Sequence, residues 1–116
     1  MDDERRCSTA LSPIRGSIPN GPTNGRYKYT ANEIDIGWDT STSSGVVGYE
    51  VDREVVGVEQ FPVALGKFEN TGIRDTNSVA LAHAGTATGV LYYVYAIGSD
   101  GVESPNDAVI YVSHIG

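Results

Sequence analysis

The sequence predicts an all-β chain, a seven-stranded antiparallel β-sandwich preceded by an extended N-terminal arm, and three observations carry that prediction. Residues 91–97 (Leu-Tyr-Tyr-Val-Tyr-Ala-Ile) form an unbroken run of apolar and aromatic side chains. A Gly/Asp/Ser/Pro turn follows over 98–105, and a second alternating run spans 108–112, which together make a β-hairpin signature. Short alternating segments also recur upstream, separated by polar, glycine-rich turns, as a sandwich requires. The composition agrees, since 40% hydrophobic content with 14 Gly, many Val, Thr, Ser and Tyr and few Leu favours turns and strands over helices. A length of 116 residues holds one domain with its own core and not two.

Residues 1–25 carry Pro13, Pro19 and Pro22 with Gly16, Gly21 and Gly25 and show neither helical nor strand periodicity, so they read as an arm, with the sandwich over 26–116. The strand candidates then follow in order. Residues 26–30 form a short one, and 33–39 alternate with Ile34, Ile36 and Trp38 on one face. Residues 46–53 place Val47, Tyr49 and Val51 on one side and Gly48, Glu50 and Asp52 on the other. Residues 55–61 are expected as the hairpin partner of that strand, despite Gly57. Segments 67–73 and 78–84 are read as further strands before the closing hairpin. No internal repeat or low-complexity tract interrupts the pattern.

The net charge of −7 is unevenly distributed. Residues 1–28 carry five basic and three acidic side chains, whereas 29–116 carry three basic and twelve acidic ones. An acidic body repels phosphate backbones and anionic headgroups, which argues against nucleic acid and membrane as partners. The single cysteine, Cys7, can form no internal disulfide, so packing must hold the core. The N-terminus has no apolar stretch of signal-peptide type, and no run approaches transmembrane length. If Met1 is the native start, the expectation is a chain that stays inside a cell or leaves it within a particle.

Catalytic chemistry finds little support. His83 falls in a candidate strand and His114 lies near the end of the chain, and neither has Cys or carboxylate partners at zinc-ligand spacing. No Ser-His-Asp set sits in a nucleophile elbow. The loops at 39–43 and 100–103 offer oxygen ligands without the spacing of a calcium loop. Gly98-Ser99-Asp100-Gly101 precedes a strand rather than a helix, so it cradles no phosphate. Arg15-Gly16-Ser17 is not an Arg-Gly-Asp motif. The chain is therefore read as a non-enzyme without cofactor or metal.

Several of these motifs resemble those of fibronectin type III domains, particularly the bacterial and phage-type variety of this immunoglobulin-like sandwich. Ile34-Asp35-Ile36-Gly37-Trp38-Asp39 looks like the second strand with its core tryptophan, and Val47-Gly48-Tyr49-Glu50-Val51 like the third. Tyr92-x-Val94-x-Ala96, with Gly101 and Ser104 beyond it, looks like the sixth strand and its following loop. The resemblance spans roughly residues 26–114, and it implies Tyr92, Val94 and Ala96 in the core. It departs from the family at Val90, where a corner tyrosine is expected, and at Ala84, where a leucine is expected. The turn at 85–89 must then be held by other means.

With that parity, Tyr93, Tyr95 and Ile97 point outward, joined by Val109 and Tyr111 from the last strand and by Glu50 and Asp52 from the third. Tyr93, Tyr95, Tyr111, Glu50 and Asp52 are thus the candidate contact residues, a surface of tyrosines beside carboxylates suited to a protein or glycan. Outward tyrosines could equally serve cross-strand pairing alone. Arg5, Arg6 and Arg15 are the candidate contacts of the arm. The leading functional expectation is a structural or binding module of a larger assembly, a capsid decoration or cement protein on a virion surface. Its partners would be capsid protein or further copies of the chain. The alternative is a spacer, or a carbohydrate or cell-surface adhesion module, excised from a secreted bacterial protein.

Overall fold

Alternation of apolar and polar side chains builds two antiparallel sheets in the computed structural model, which describes residues 18–86, 88–105 and 107–113. In chain order the elements are β1 Thr23–Tyr29, β2 Ile34–Asp39, β3 Val46–Val55, β4 Val63–Phe68, β5 Gly72–Asp75, α1 Ser78–Ala84, β6 Val90–Gly98 and β7 Ala108–Val112. Strands β1-β2-β5 form one sheet and β4-β3-β6-β7 the other, with every pairing antiparallel. This is the seven-stranded sandwich expected from the sequence.

The inward faces meet in a core of Ile34, Ile36 and Trp38 from β2, Tyr49, Val51 and Val55 from β3, Val90, Tyr92, Val94 and Ala96 from β6, and Ala108, Ile110 and Val112 from β7. Trp38 packs edge-to-face on Tyr49, with ring centroids 5.6 Å apart, a geometry that suits the ring quadrupoles.

Several expectations are corrected. β1 begins at Thr23 rather than at Arg26. Residues 55–61 do not pair with the third strand. β3 instead runs to Val55, and a turn closes with the Val58 and Glu59 N–H groups donating to the Val55 carbonyl at 3.0 and 2.9 Å. Gly57 supplies the left-handed conformation (φ 84°) this turn needs. The partner strand is β4. Residues 67–73 are not one strand, because the chain leaves the four-stranded sheet after Phe68 and enters the other at Gly72.

Residues 78–84 are a helix rather than a strand, so His83 sits on α1. Asn77 caps it, its side-chain oxygen accepting from the Val79 and Ala80 N–H groups at 3.0 and 3.1 Å. Ala80 and Ala84, four residues apart, face the core. Val47 was assigned inward and is 56% exposed. A register shift between Val46 and Gly48 moves Val46 toward the core in its place. Ile97, assigned outward, is buried, with Glu103 of the following loop paired opposite it.

Val90 does occupy the corner position, fully buried, and the connection into β6 is held from other strands. The Tyr29 hydroxyl donates to the Leu81 carbonyl at 3.1 Å, the Tyr111 hydroxyl to the Thr88 carbonyl at 3.0 Å, and the Ser113 hydroxyl to the Thr86 carbonyl at 3.3 Å. Gly89 completes the turn at φ 71°, where a Cβ would lie 2.5 Å from the Val112 carbonyl oxygen.

A charged group lies inside, where hydrophobic periodicity carries no sign of one. Arg53 and Asp75 are only 8% and 7% exposed. Arg53 Nη1 lies 3.3 Å from Asp75 Oδ2, joining β3 of one sheet to β5 of the other. Arg53 Nη2 also reaches Glu59 Oε2 at 3.1 Å, and Glu59 Oε1 accepts from the Val55 N–H at 2.7 Å. The Tyr92 hydroxyl donates to Asp75 Oδ2 at 2.7 Å, and the Asn77 N–H donates to Oδ1 at 3.0 Å. Burial, and then the Asp75 carboxylate beside it, push the Tyr92 hydroxyl far above the ordinary tyrosine range.

Removing one partner strands the other, so Arg53→Met is expected to cost about 3–5 kcal/mol. Tyr92→Phe, which deletes one hydrogen bond to a charged acceptor, should cost about 1.5–3 kcal/mol. Urea denaturation monitored by Trp38 fluorescence checks both, and an Arg53→Met loss below that of Tyr92→Phe would contradict the inter-sheet role.

Candidate functional site

The outer face of the four-stranded sheet collects the chemistry. Pairing of β3 with β6 sets Glu50 opposite Tyr95, Asp52 opposite Tyr93 and Glu54 opposite Leu91. Pairing of β6 with β7 sets Tyr93 opposite Val109 and Leu91 opposite Tyr111. Directly opposed side chains on one face are the ones that touch. Tyr93, Tyr95, Glu50 and Asp52 therefore form one contiguous group, each side chain partly buried and partly open to solvent. Tyr111 and Val109, 48% and 52% exposed, extend it across β7, with Tyr111 at the far end of the face from Glu50.

Three further carboxylates join that are not among the candidate contact residues. The Tyr93 hydroxyl donates to Glu54 Oε1 at 3.2 Å. Asp107 hydrogen-bonds Tyr95, and Glu103 hydrogen-bonds Glu50. Parity along β3 could have found Glu54. Asp107 lies just before β7, and Glu103 is in a loop that folds back on Ile97, so neither carries a local signal. Arg5, Arg6, Arg15, Cys7 and His114 lie outside the described residues.

The two outer faces differ in how their acids are balanced. On the three-stranded sheet Arg74 Nε lies 2.8 Å from both Asp35 Oδ1 and Glu33 Oε2, and Arg26 Nη1 lies 3.0 Å from Asp39 Oδ1. The hydrogen bond from Arg74 holds Asp35 below the ordinary carboxylate range, and those from Asn24 and Arg26 do the same for Asp39. On the four-stranded sheet, Lys67, opposite Glu50, is the one cation the register places on the outer face among the described residues. The hydrogen bond with Glu103, then burial, then Asp52 push Glu50 up to about 8. Burial, followed by Asp107, pushes the Tyr95 hydroxyl up to about 12. Asp52 Oδ1 is buried with no hydrogen-bond partner among the described residues.

Tyrosine rings offer flat apolar area with polar tips, and the carboxylates accept hydrogen bonds or attract cations. Among the described residues no group of three or more His, Cys, Asp or Glu is placed to hold a metal ion. The imidazole of His83 turns back onto its own helix, Nδ1 lying 3.0 Å from the Val79 carbonyl oxygen.

No family model matches the sequence, and no curated protein matches it. Solved structures do resemble it. A myokine superposes with a TM-score of 0.62 at 16% identity, over 82% of this chain and 96% of its own. An Fn3-like protein from Clostridium thermocellum gives 0.56 at 25% identity, over 80% of this chain and 92% of its own. A pectate lyase from Erwinia chrysanthemi in complex with tetragalacturonic acid gives 0.56 at 13% identity, over 78% of this chain but 27% of its own. The chain therefore spans almost all of the first two and about a quarter of the third. Its fold is of the immunoglobulin-like and fibronectin type III kind.

The acid group also makes stability depend on pH. Glu50 holds its proton more tightly folded than unfolded, so the folded state binds more protons between the ordinary glutamate range and about 8. Stability must then fall as pH rises through that window. Glu50→Gln is expected to flatten the fall and to raise stability at pH 8 relative to the parent, measured by urea midpoints at pH 5 and pH 8. An unchanged slope would remove Glu50 as its source.

Proposed function

We propose that this chain is a spacer and adhesion module carried by a larger secreted protein, and that the outer face of its four-stranded sheet contacts a neutral polysaccharide. The carrying observation is that face itself. Tyr93 and Tyr95 stand side by side in register with Glu50 and Asp52, while the opposite sheet spends its acids on arginines. Sugar rings stack on aromatic faces, and carboxylates accept hydrogen bonds from sugar hydroxyls.

The architecture supports the reading, since similar sandwiches occur both nearly alone, as in the Clostridium thermocellum protein, and as about a quarter of a pectate lyase. That lyase binds an acidic oligosaccharide, and the carboxylates here would repel such an anion, so the ligand is assigned as uncharged. A virion accessory role draws no support from these likenesses and rests on the sequence alone.

Replacing Tyr93 and Tyr95 together by threonine keeps β-propensity while removing both rings. The double variant should bind its polysaccharide at least about tenfold more weakly than the parent, with an unchanged melting profile. Affinity electrophoresis in cellulose derivatives, xylan, mannan and polygalacturonate measures this. Retention by polygalacturonate alone, retention by none, or equal retention of parent and variant would each reject the proposal.

A further inference from the structure

Beside Glu50 the outer face of the four-stranded sheet dips. Gly48 shares the outward parity of Glu50 but brings no side chain, and a Cβ there would stand 3.0 Å from the Phe68 carbonyl oxygen. The gap is a cavity of about 240 Å³ lined by Val47, Gly48, Lys67, Phe68, Glu69 and Ile97. Val47 borders it because the register shift between Val46 and Gly48 re-aims that side chain toward solvent. Lys67 and Glu69, two residues apart at the end of β4, bring an ammonium and a carboxylate to the same cavity. Both are exposed, and among the described residues neither is in an ion pair, although Glu50 stands opposite Lys67.

The size and the lining select an occupant. Sites for complete small molecules run from about 300 Å³ upward, so this one holds a substituent of a ligand that lies mainly elsewhere on the face. An ammonium donates, a carboxylate accepts, and Val47 and Ile97 are apolar. An acetamido group carries the matching set, a carbonyl oxygen, an N–H and a methyl, with no net charge. A free carboxylate would meet Glu69 and Glu50, a free ammonium would meet Lys67, and a hydroxyl would leave Val47 and Ile97 uncovered.

We propose that this cavity takes the acetamido substituent of an N-acetylated hexosamine, Lys67 donating to its carbonyl, Glu69 accepting from its N–H and its methyl lying on Val47 and Ile97. The inference rests on the polysaccharide reading of the tyrosine face and narrows it to acetamido-sugar polymers. Glu50 pairs with Lys67 on one side and with Tyr95 on the other, so the cavity rim and the tyrosine are two strand spacings apart, about 10 Å. One sugar chain lying across the strands reaches both, with a ring on Tyr95 and an acetamido group at Lys67.

Cellohexaose and N-acetylchitohexaose share one backbone and differ at the second ring carbon, hydroxyl in the first and acetamido in the second. Their affinities for the full chain, measured by isothermal titration calorimetry, therefore isolate the substituent. The acetylated hexamer should bind at least about fivefold more tightly. Lys67→Met should erase that preference while leaving the affinity for cellohexaose and the melting profile unchanged, and Lys67→Arg, which keeps a donor, should retain part of it. Equal binding of the two hexamers, or a preference that survives Lys67→Met, would overturn the assignment of the cavity and leave the tyrosine-face reading standing. Binding of neither hexamer would overturn both. The fully deacetylated hexamer, whose ammonium groups are drawn to acids, should not match the acetylated one; equal affinity for it, or for an uncharged N-acetylated peptide amide of similar length, would overturn the proposal as well.

Discussion

The ion pair between Arg53 and Asp75 is the constraint on which the remaining structure depends. Two small sheets with a core of small and branched side chains have neither a disulfide nor a corner tyrosine to fix them, and this pair, with the Tyr92 hydroxyl on the same carboxylate, ties one sheet to the other with direction as well as area. Burying two charges is costly unless each is fully hydrogen-bonded. Here Asp75 accepts from Arg53, Tyr92 and the Asn77 N–H, and Arg53 divides its donors between Asp75 and Glu59. The network draws together β3, β5, β6, the turn after β3 and the entry to α1. Its contribution is specificity of arrangement more than net stability.

That specificity reaches the outer face through parity. In a strand successive side chains alternate sides, so an inward Arg53 obliges Asp52 and Glu54 to face outward, and an inward Tyr92 does the same for Tyr93. A one-residue slip of β3 against β6 would expose Arg53 and bury Asp52, with no partner for either. The polar core and the candidate surface are two sides of one register. The bulge between Val46 and Gly48 sits beyond this locked stretch, where a change of parity displaces only Val46 and Val47.

The legible parts of the sequence were those in which local pattern and tertiary role coincide. β2 and β7 alternate without interruption, and β6 does so up to Ala96; the resemblance places Tyr92, Val94 and Ala96 inward as found, and the alternation fails at Ile97, which the following loop covers. β3 was read correctly from Tyr49 onward and wrongly at Val47, because a bulge leaves no mark in hydrophobic periodicity. Segment 78–84 misled because Val79, Leu81 and His83 mimic a strand, whereas the pair that matters is Ala80 and Ala84, together with Asn77 as a helix cap. Arg53 read as the charged end of a strand. Its burial follows from Glu59 and Asp75, six and twenty-two residues away, and no local window contains both. At the candidate site the strand residues were accessible by parity, while Glu103 and Asp107 arrive from a loop.

The composition of the outer face is itself an argument about use. Like charges opposed across strands destabilise a sheet, and a face that serves only solubility mixes lysine with its acids. The three-stranded sheet does so with Arg26 and Arg74. The four-stranded sheet gathers Glu50, Asp52, Glu54, Glu103 and Asp107 around two tyrosines with Lys67 as the one cation among the described residues, leaving the Glu50 carboxyl shifted upward and one Asp52 oxygen unmatched. Threonine at Glu50, Asp52 or Glu54 would preserve the strand and relieve the repulsion. These acids stand on strands whose register is fixed from beneath by Arg53 and Tyr92, and cationic or hydroxyl-rich groups are the chemistry that would complement them.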